Sequence, residues 1–129
     1  MLALLVTASA HHQHDPERQL WNFHKVESKL KAARLKVRRD VAVNQPFLSV
    51  AGRVFVVGRG EAEIQTYIYG SSEQRAKDTD RLDPITATPP TMRAAWIMPP
   101  SLLVNRNLAA IILTRDDSLR QKIATALNK

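Results

Sequence analysis

A chain of 129 residues with 44% hydrophobic side chains has the size of one domain. Such a domain buries roughly 65–70% of its unfolded surface and holds a core without metals or cross-links. The absence of cysteine excludes disulfides, thiolate metal sites and a cysteine nucleophile, and leaves the redox compartment open.

The net charge of +7 is concentrated, because Lys25, Lys29, Lys31, Arg34, Lys36, Arg38 and Arg39 face only Glu27 between positions 25 and 39. Such a strip draws polyanions, whether nucleic acid or anionic head groups, through a field that fades within a Debye length. The plainer alternative is a solvated, lysine-rich helix face. At the amino terminus Met1 to Val6 is apolar, and Thr7-Ala8-Ser9-Ala10 has the small-residue pattern that signal peptidase cuts, here after Ala10. A basic n-region is missing and the apolar run is short, so the reading is a truncated export signal, with a short buried strand or frayed tail as the alternative. No other stretch approaches the ~18 apolar residues that span a bilayer. Residues 1–15 are read as signal remnant and flexible polar tail, and residues 16–129 as a single domain.

Within the tail, residues 11–15 read HHQHD. Asp15, Pro16 and Glu17 carry a helix-start signature: a capping aspartate, a proline at the first helical position, and an acid near the positive end of the dipole. The spacing of Phe23, Val26, Leu30 and Ala33 predicts a helix to about residue 34 with one narrow buried stripe, lying on a sheet. Leu35, Val37, Val41 and Val43 alternate with charged residues, which predicts a half-buried strand with these four on one face. After Asn44-Gln45-Pro46, two β-rich runs at residues 54–57 and 64–69 flank Gly58-Arg59-Gly60 and form a hairpin.

Ser71 with Gln74 three residues on has the form of a capping box. It opens a short, polar second helix whose apolar side chains are Ala76 and Leu82, ended by Asp83-Pro84. Sparse burial makes this the peripheral element and the easiest to open. A Thr/Pro-rich loop leads to a second hairpin, residues 94–104 with 108–114, turning at Asn105-Arg106-Asn107, where asparagine tolerates positive φ. Pro99 and Pro100 cannot donate ladder hydrogen bonds, so their strand is bulged or at an edge. Residues 108–113 are apolar on both faces, as in a central strand. Asp116 or Asp117 then caps a last helix whose core face is Leu119, Ile123, Ala126 and Leu127. This order predicts an α+β two-layer sandwich: a mostly antiparallel sheet of about five strands with helices on one face, the strand order undetermined.

The runs PFLSVAGRVFVV, EIQTYIY with its serine-capped helix, TMRAAWIMPPSLL and NLAAIILTRDDSLRQKIATAL resemble a group of small bacterial exported or lipoprotein-like proteins of unassigned function. Their pattern joins a QPFxSVxGRV run, an aromatic-rich strand, a TTMxxWxxPPHFY segment and a hydrophobic strand entering a DDP helix. The likeness covers roughly residues 26–127, and Gln45, Pro46, Phe47, Ser49, Val50, Gly52, Arg53, Val54, Thr91, Met92, Trp96, Pro99, Pro100 and Asp116 fall on it. Ser101-Leu102-Leu103 stands where the family tends to have His-Phe-Tyr. The cysteine that carries lipid in many such proteins is missing, so no lipid anchor is expected. The resemblance implies an envelope or extracytoplasmic location and assigns no activity.

Candidate chemistry is sparse. His11, His12 and His14 with Asp15 form a histidine cluster of the kind that binds Cu, Ni or Zn, the more so beside an α-amine freed by cleavage after Ala10. On a flexible tail nothing orients these ligands, so a polar linker is the expectation, with no metal or cofactor. His24 alone remains, which leaves a Ser-His-Asp arrangement short of a partner. Glu61 and Glu63 are placed on one side of a strand, where burial splits carboxylate pKa values, but a nearby turn ordinarily solvates them. Gly58-Arg59-Gly60 lacks the lysine-serine step and following helix of a phosphate loop. Trp21, Tyr67, Tyr69 and Trp96 offer a stacking platform for bases, with core packing the stronger reading. Arg53, Trp96, Pro99 and Pro100 mark a candidate groove, because the double proline exposes a strand edge able to accept a peptide strand; a rigid bulge is the alternative.

The expectation is a small, basic, exported, non-enzymatic binding or structural protein of the bacterial cell envelope, periplasmic or extracellular, with no transmembrane span. Its binding residues are Lys25, Lys29, Lys31, Arg34, Arg53, Trp96, Pro99 and Pro100, and its partner an anionic surface or an envelope protein. The alternative is a cytoplasmic nucleic-acid-binding module using residues 25–39, whose affinity falls steeply with salt.

Overall fold

In the computed structural model, which describes residues 19–128, Asn22 caps the helix that carries the predicted apolar stripe. Its side chain accepts the Lys25 N–H at 2.7 Å, and α1 runs over Phe23–Ala32. The helix predicted to run unbroken to about residue 34 is interrupted at residues 20–22, ahead of this cap. Both backbone groups of Trp21 are taken by the Asn107 side chain, so residue 21 cannot join a helical ladder. Asp15 itself, the signal-like run and the histidine cluster lie outside the described residues. At the far end the Leu35 N–H bonds the Leu30 carbonyl and the Arg34 N–H bonds the Lys31 carbonyl. Arg34 takes the left-handed conformation at φ 66°, where glycine is usual, and Leu30 and Leu35 meet in the core beneath this cap.

Five strands follow: β1 Val37–Val43, β2 Gly52–Val57, β3 Ala62–Ile68, β4 Pro100–Asn105 and β5 Leu108–Thr114. They form one sheet in the order β1-β2-β3-β5-β4, with every neighbouring pair antiparallel. Helix α2 spans Ser72–Thr79 between β3 and β4, and α3 spans Asp117–Leu127 after an Asp116 cap. This is the expected α+β architecture. β5 is buried along its whole length, as an unbroken apolar run requires of a strand flanked on both sides. The β2–β3 turn uses Gly58 at φ 63° and Gly60 at φ 101°, the two glycines that marked it in the sequence.

One face of the sheet presents Phe55, Val57, Ile64, Leu108, Ala110 and Ile112 to α1 and α3, which answer with Val26, Leu30, Ile123 and Leu127. The other face presents Tyr67, Ala109, Ile111 and Leu113, and irregular chain covers it. Leu48 and Val50 come from the β1–β2 connection; Ala87, Trp96 and Met98 come from the segment before β4. That duty shortens the predicted strand 94–104 to Pro100–Asn105, because residues 94–99 leave the strand and Trp96 and Met98 pack across the sheet. β4 is an edge strand, as its prolines require.

Three further expectations change. Of the four residues expected on one face, Leu35 and Val37 pack on the helix side, Val43 packs on the opposite side, and Val41 is 63% exposed. The pairing jumps from Arg39↔Phe55 to Ala42↔Arg53, so β1 carries one extra residue and bulges at Asp40-Val41. Helix α2 keeps its predicted Ser71 cap, with Gln74 N–H at 3.1 Å, but stops at Thr79, short of Asp83-Pro84. There the chain turns to bury Leu82 and to pair Asp83 with Thr88. In the β4–β5 turn Arg106, not an asparagine, takes positive φ at 54°, while the buried Asn107 is committed to hydrogen bonds.

Candidate functional site

The basic residues follow α1, its cap and β1, where Arg39 lies over Phe55 on the helix side at 5.7 Å and Arg38 alternates to the other face. Glu27 is shared by Lys31 at 2.9 Å and Arg39 at 3.3 Å, and Asp40 lies 3.4 Å from Arg38. The Lys31 hydrogen bond, aided by the charges of Lys31 and Arg39, holds the Glu27 carboxyl below the usual carboxylate range despite some desolvation. Lys25, Lys29, Arg34 and Lys36 have no carboxylate within ion-pair distance among the described residues. Burial, then the like charges of Arg106 and Lys29, pull the Lys25 ammonium below the ordinary lysine range. The path is therefore a surface of surplus positive charge.

The predicted groove is divided by the fold. Arg53 shares a sheet face with Phe55 and Val57, on the side of α1 and α3, whereas Trp96 packs on the opposite face with Tyr67 and Ile111. Arg53 Nη1 donates to the Asp40 carbonyl at 3.1 Å, occupying an acceptor of the β1 bulge. The β4 edge is also less open than two prolines suggested. Thr114 N–H bonds the Pro99 carbonyl at 3.2 Å, so by antiparallel alternation residues 100, 102 and 104 direct their backbone groups away from β5. Pro100 has no N–H, and the Leu102 N–H is taken by the Pro84 carbonyl at 2.9 Å. Only Val104 keeps an outward donor, too few to guide a peptide strand.

Trp96 and Pro100 do share a cleft of about 630 Å³ with Ile85, Met92, Pro89 and Pro90. Trp96 Nε1 donates to the Thr86 carbonyl at 2.9 Å, which fixes the ring in its wall, and Ile85 stands 77% exposed at the rim. The polar members are Asp83, whose carboxylate accepts the Ile85 N–H, Thr86 and Thr88, whose hydroxyls bond each other at 3.1 Å, and Arg93. An apolar side chain fits such a wall.

The other candidates separate. Trp21 lies in the helix-side core, and Tyr67 and Tyr69 lie in the opposite cluster, so the four aromatics form no shared platform. Burial raises both tyrosine hydroxyls above their usual range; Tyr67 donates to Gln65 Oε1 at 2.8 Å and Tyr69 to Asp78 at 2.8 Å. Glu61 is in the turn, not on β3 with Glu63, and accepts the Arg59 N–H at 3.0 Å. His24 is exposed on α1, and the described residues contain no group of three or more His, Cys, Asp or Glu placed to hold a metal. No described helix is long and apolar enough to cross a membrane.

Sequence reasoning missed Arg106 and Asn107 as partners of Trp21. Arg106 Cζ lies 5.8 Å and Lys25 Nζ 4.9 Å from the centroid of the same indole. The one advance signal was a polar Asn-Arg-Asn turn between two apolar strands, which does not disclose an attachment 86 residues away. Comparison of the chain with known proteins finds no matching family model, no matching curated protein and no matching solved structure.

Proposed function

We propose that this is a small exported, non-enzymatic binding protein of the bacterial cell envelope that meets an anionic lipid surface through the path of α1, its cap and β1. The observation that carries this reading is the surplus of Lys25, Lys29, Arg34 and Lys36, none with a carboxylate at ion-pair distance among the described residues. Export is supported by the apolar start, the Thr7-Ala8-Ser9-Ala10 pattern and the family resemblance. Each basic residue held near an anionic membrane contributes about 1 kcal/mol, so four give a millimolar attraction by themselves. Tight capture needs a further contact.

The test has two arms. A carboxyl-terminal tag, cell fractionation and sequencing of the mature amino terminus locate the protein, and a cytoplasmic chain retaining Met1 defeats export. Sedimentation with phosphatidylglycerol vesicles, compared with phosphatidylcholine, measures the surface. Binding should require the anionic lipid, fall with salt, and be lost in the Lys29→Glu, Lys36→Glu double variant. Duplex DNA binding at near-physiological salt, in place of vesicle binding, transfers the basic path to the nucleic-acid reading.

A further inference from the structure

We propose that Lys25 and Arg106 form a binding site for a phosphate-class oxyanion at the indole of Trp21. The site uses Arg106, which lies outside the basic path, and it stands whether or not that path meets a membrane. Two cations from distant parts of the chain converge on one ring, at 4.9 and 5.8 Å from its centroid. Cation–π attraction draws each of them, at about 0.5–2 kcal/mol. Each face of an indole can attract a cation, but the two charges repel one another, and Lys29 adds a third to the field at Lys25.

The unmet hydrogen-bonding needs point the same way. Trp21 is 2% exposed, and its Nε1–H is buried with no acceptor among the described residues; the Arg106 Nε–H is buried in the same condition. Both are donors, so each lacks an acceptor, and an acceptor with negative charge would also offset the mutual repulsion of Lys25 and Arg106. A phosphate presents several oxygens and up to two charges. It accepts the planar fork of an arginine and the point charge of a lysine together.

The frame is built in advance. Asn107 holds the Trp21 backbone at both its N–H and its carbonyl, and Arg75 Nε donates to the Arg106 carbonyl at 3.0 Å. Arg106 itself sits at φ 54°, where glycine or asparagine is ordinary, so the fold accepts backbone strain to keep an arginine at this turn.

The chain has two tryptophans, so Trp96→Phe leaves Trp21 as the sole indole, read by exciting at wavelengths that tyrosine does not absorb. In that background, inorganic phosphate and pyrophosphate titrated at constant ionic strength should change Trp21 emission saturably, while chloride at the same strength should not. Lys25→Met and Arg106→Asn, the latter chosen because asparagine tolerates positive φ, should each weaken the midpoint by roughly tenfold or more. Lys36→Met, away from the indole, should leave it within about twofold. A parallel titration with phosphatidylglycerol vesicles distinguishes a free oxyanion from a lipid phosphodiester: response to both identifies a site open to free phosphate, and response to vesicles alone identifies a headgroup site. No saturable response to either, or unchanged midpoints in both folded variants, overturns the proposal.

Discussion

The side-chain amide of Asn107 grips the backbone of Trp21 at both ends, Oδ1 accepting its N–H at 2.7 Å and Nδ2 donating to its carbonyl at 3.0 Å. The same Nδ2 donates to the Tyr69 carbonyl at 2.9 Å. This amide substitutes for a strand partner, joining the start of α1 to the β4–β5 turn and the end of β3. Asn107→Ala leaves these backbone groups buried without partners and should lower unfolding free energy by about 3 kcal/mol, read from urea unfolding. A loss below about 1 kcal/mol means that the clamp is dispensable.

Arg34 offers the opposite sign. A left-handed arginine at a helix cap carries about 1 kcal/mol of strain that glycine avoids, and its side chain lies in the surplus positive path. Arg34→Gly should raise stability by up to about 1 kcal/mol while weakening sedimentation with anionic vesicles. Raised stability with undiminished vesicle binding would remove Arg34 from the binding surface.

Gly52 is required by a close approach rather than by a turn. A Cβ there meets the Thr66 carbonyl oxygen and a Tyr67 ring carbon, both at 2.5 Å. Gly52→Ala should therefore destabilise by about 2–3 kcal/mol, measured as a shift in the denaturant midpoint with an unchanged slope. The glycine of the QPFxSVxGRV run is thus explained by the ring packed against it.

One oxygen of Asp78 accepts three donors: the Ser49 N–H at 2.7 Å, the Ser49 hydroxyl at 2.8 Å and the Tyr69 hydroxyl at 2.8 Å. Burial opposes the charge, but these bonds and the Arg81 charge outweigh it and hold the carboxyl below its ordinary range. A depressed folded pKa stabilises above the unfolded value, near 3.9, and that stabilisation fades as pH falls through the folded value. Asp78→Asn should cost about 1–2 kcal/mol at pH 7, with the gap from the unmutated chain closing progressively below about pH 4. A gap independent of pH would assign the loss to packing instead of ionisation.

Local chemistry made much of the fold legible. Glycines at the β2–β3 turn, the Ser71 and Asp116 caps, the apolar run of β5 and the prolines of an edge strand each act over a few residues, and each is found where its signal stood. What escaped was set by distant partners. Val41 alternates correctly in the sequence, yet one extra residue opposite β2 turns it outward, and Arg53 donates to the Asp40 carbonyl at that bulge. Residues 94–99 have strand-like composition but are drawn off to cover the sheet. The basic path was visible as a charge run, whereas its approach to Arg106 exists only once Asn107 has placed Trp21.

The closed margin at β4 carries a consequence for assembly. Sheets that lengthen into fibrils need two receptive sides per molecule, one to join and one to be joined. With Pro100 lacking a donor and Leu102 already bonded to Pro84, the described residues offer one, along β1, which bulges at Asp40-Val41. Lateral addition through that margin consequently terminates at a pair, and light scattering across a salt series should show dimers at most and no longer polymers.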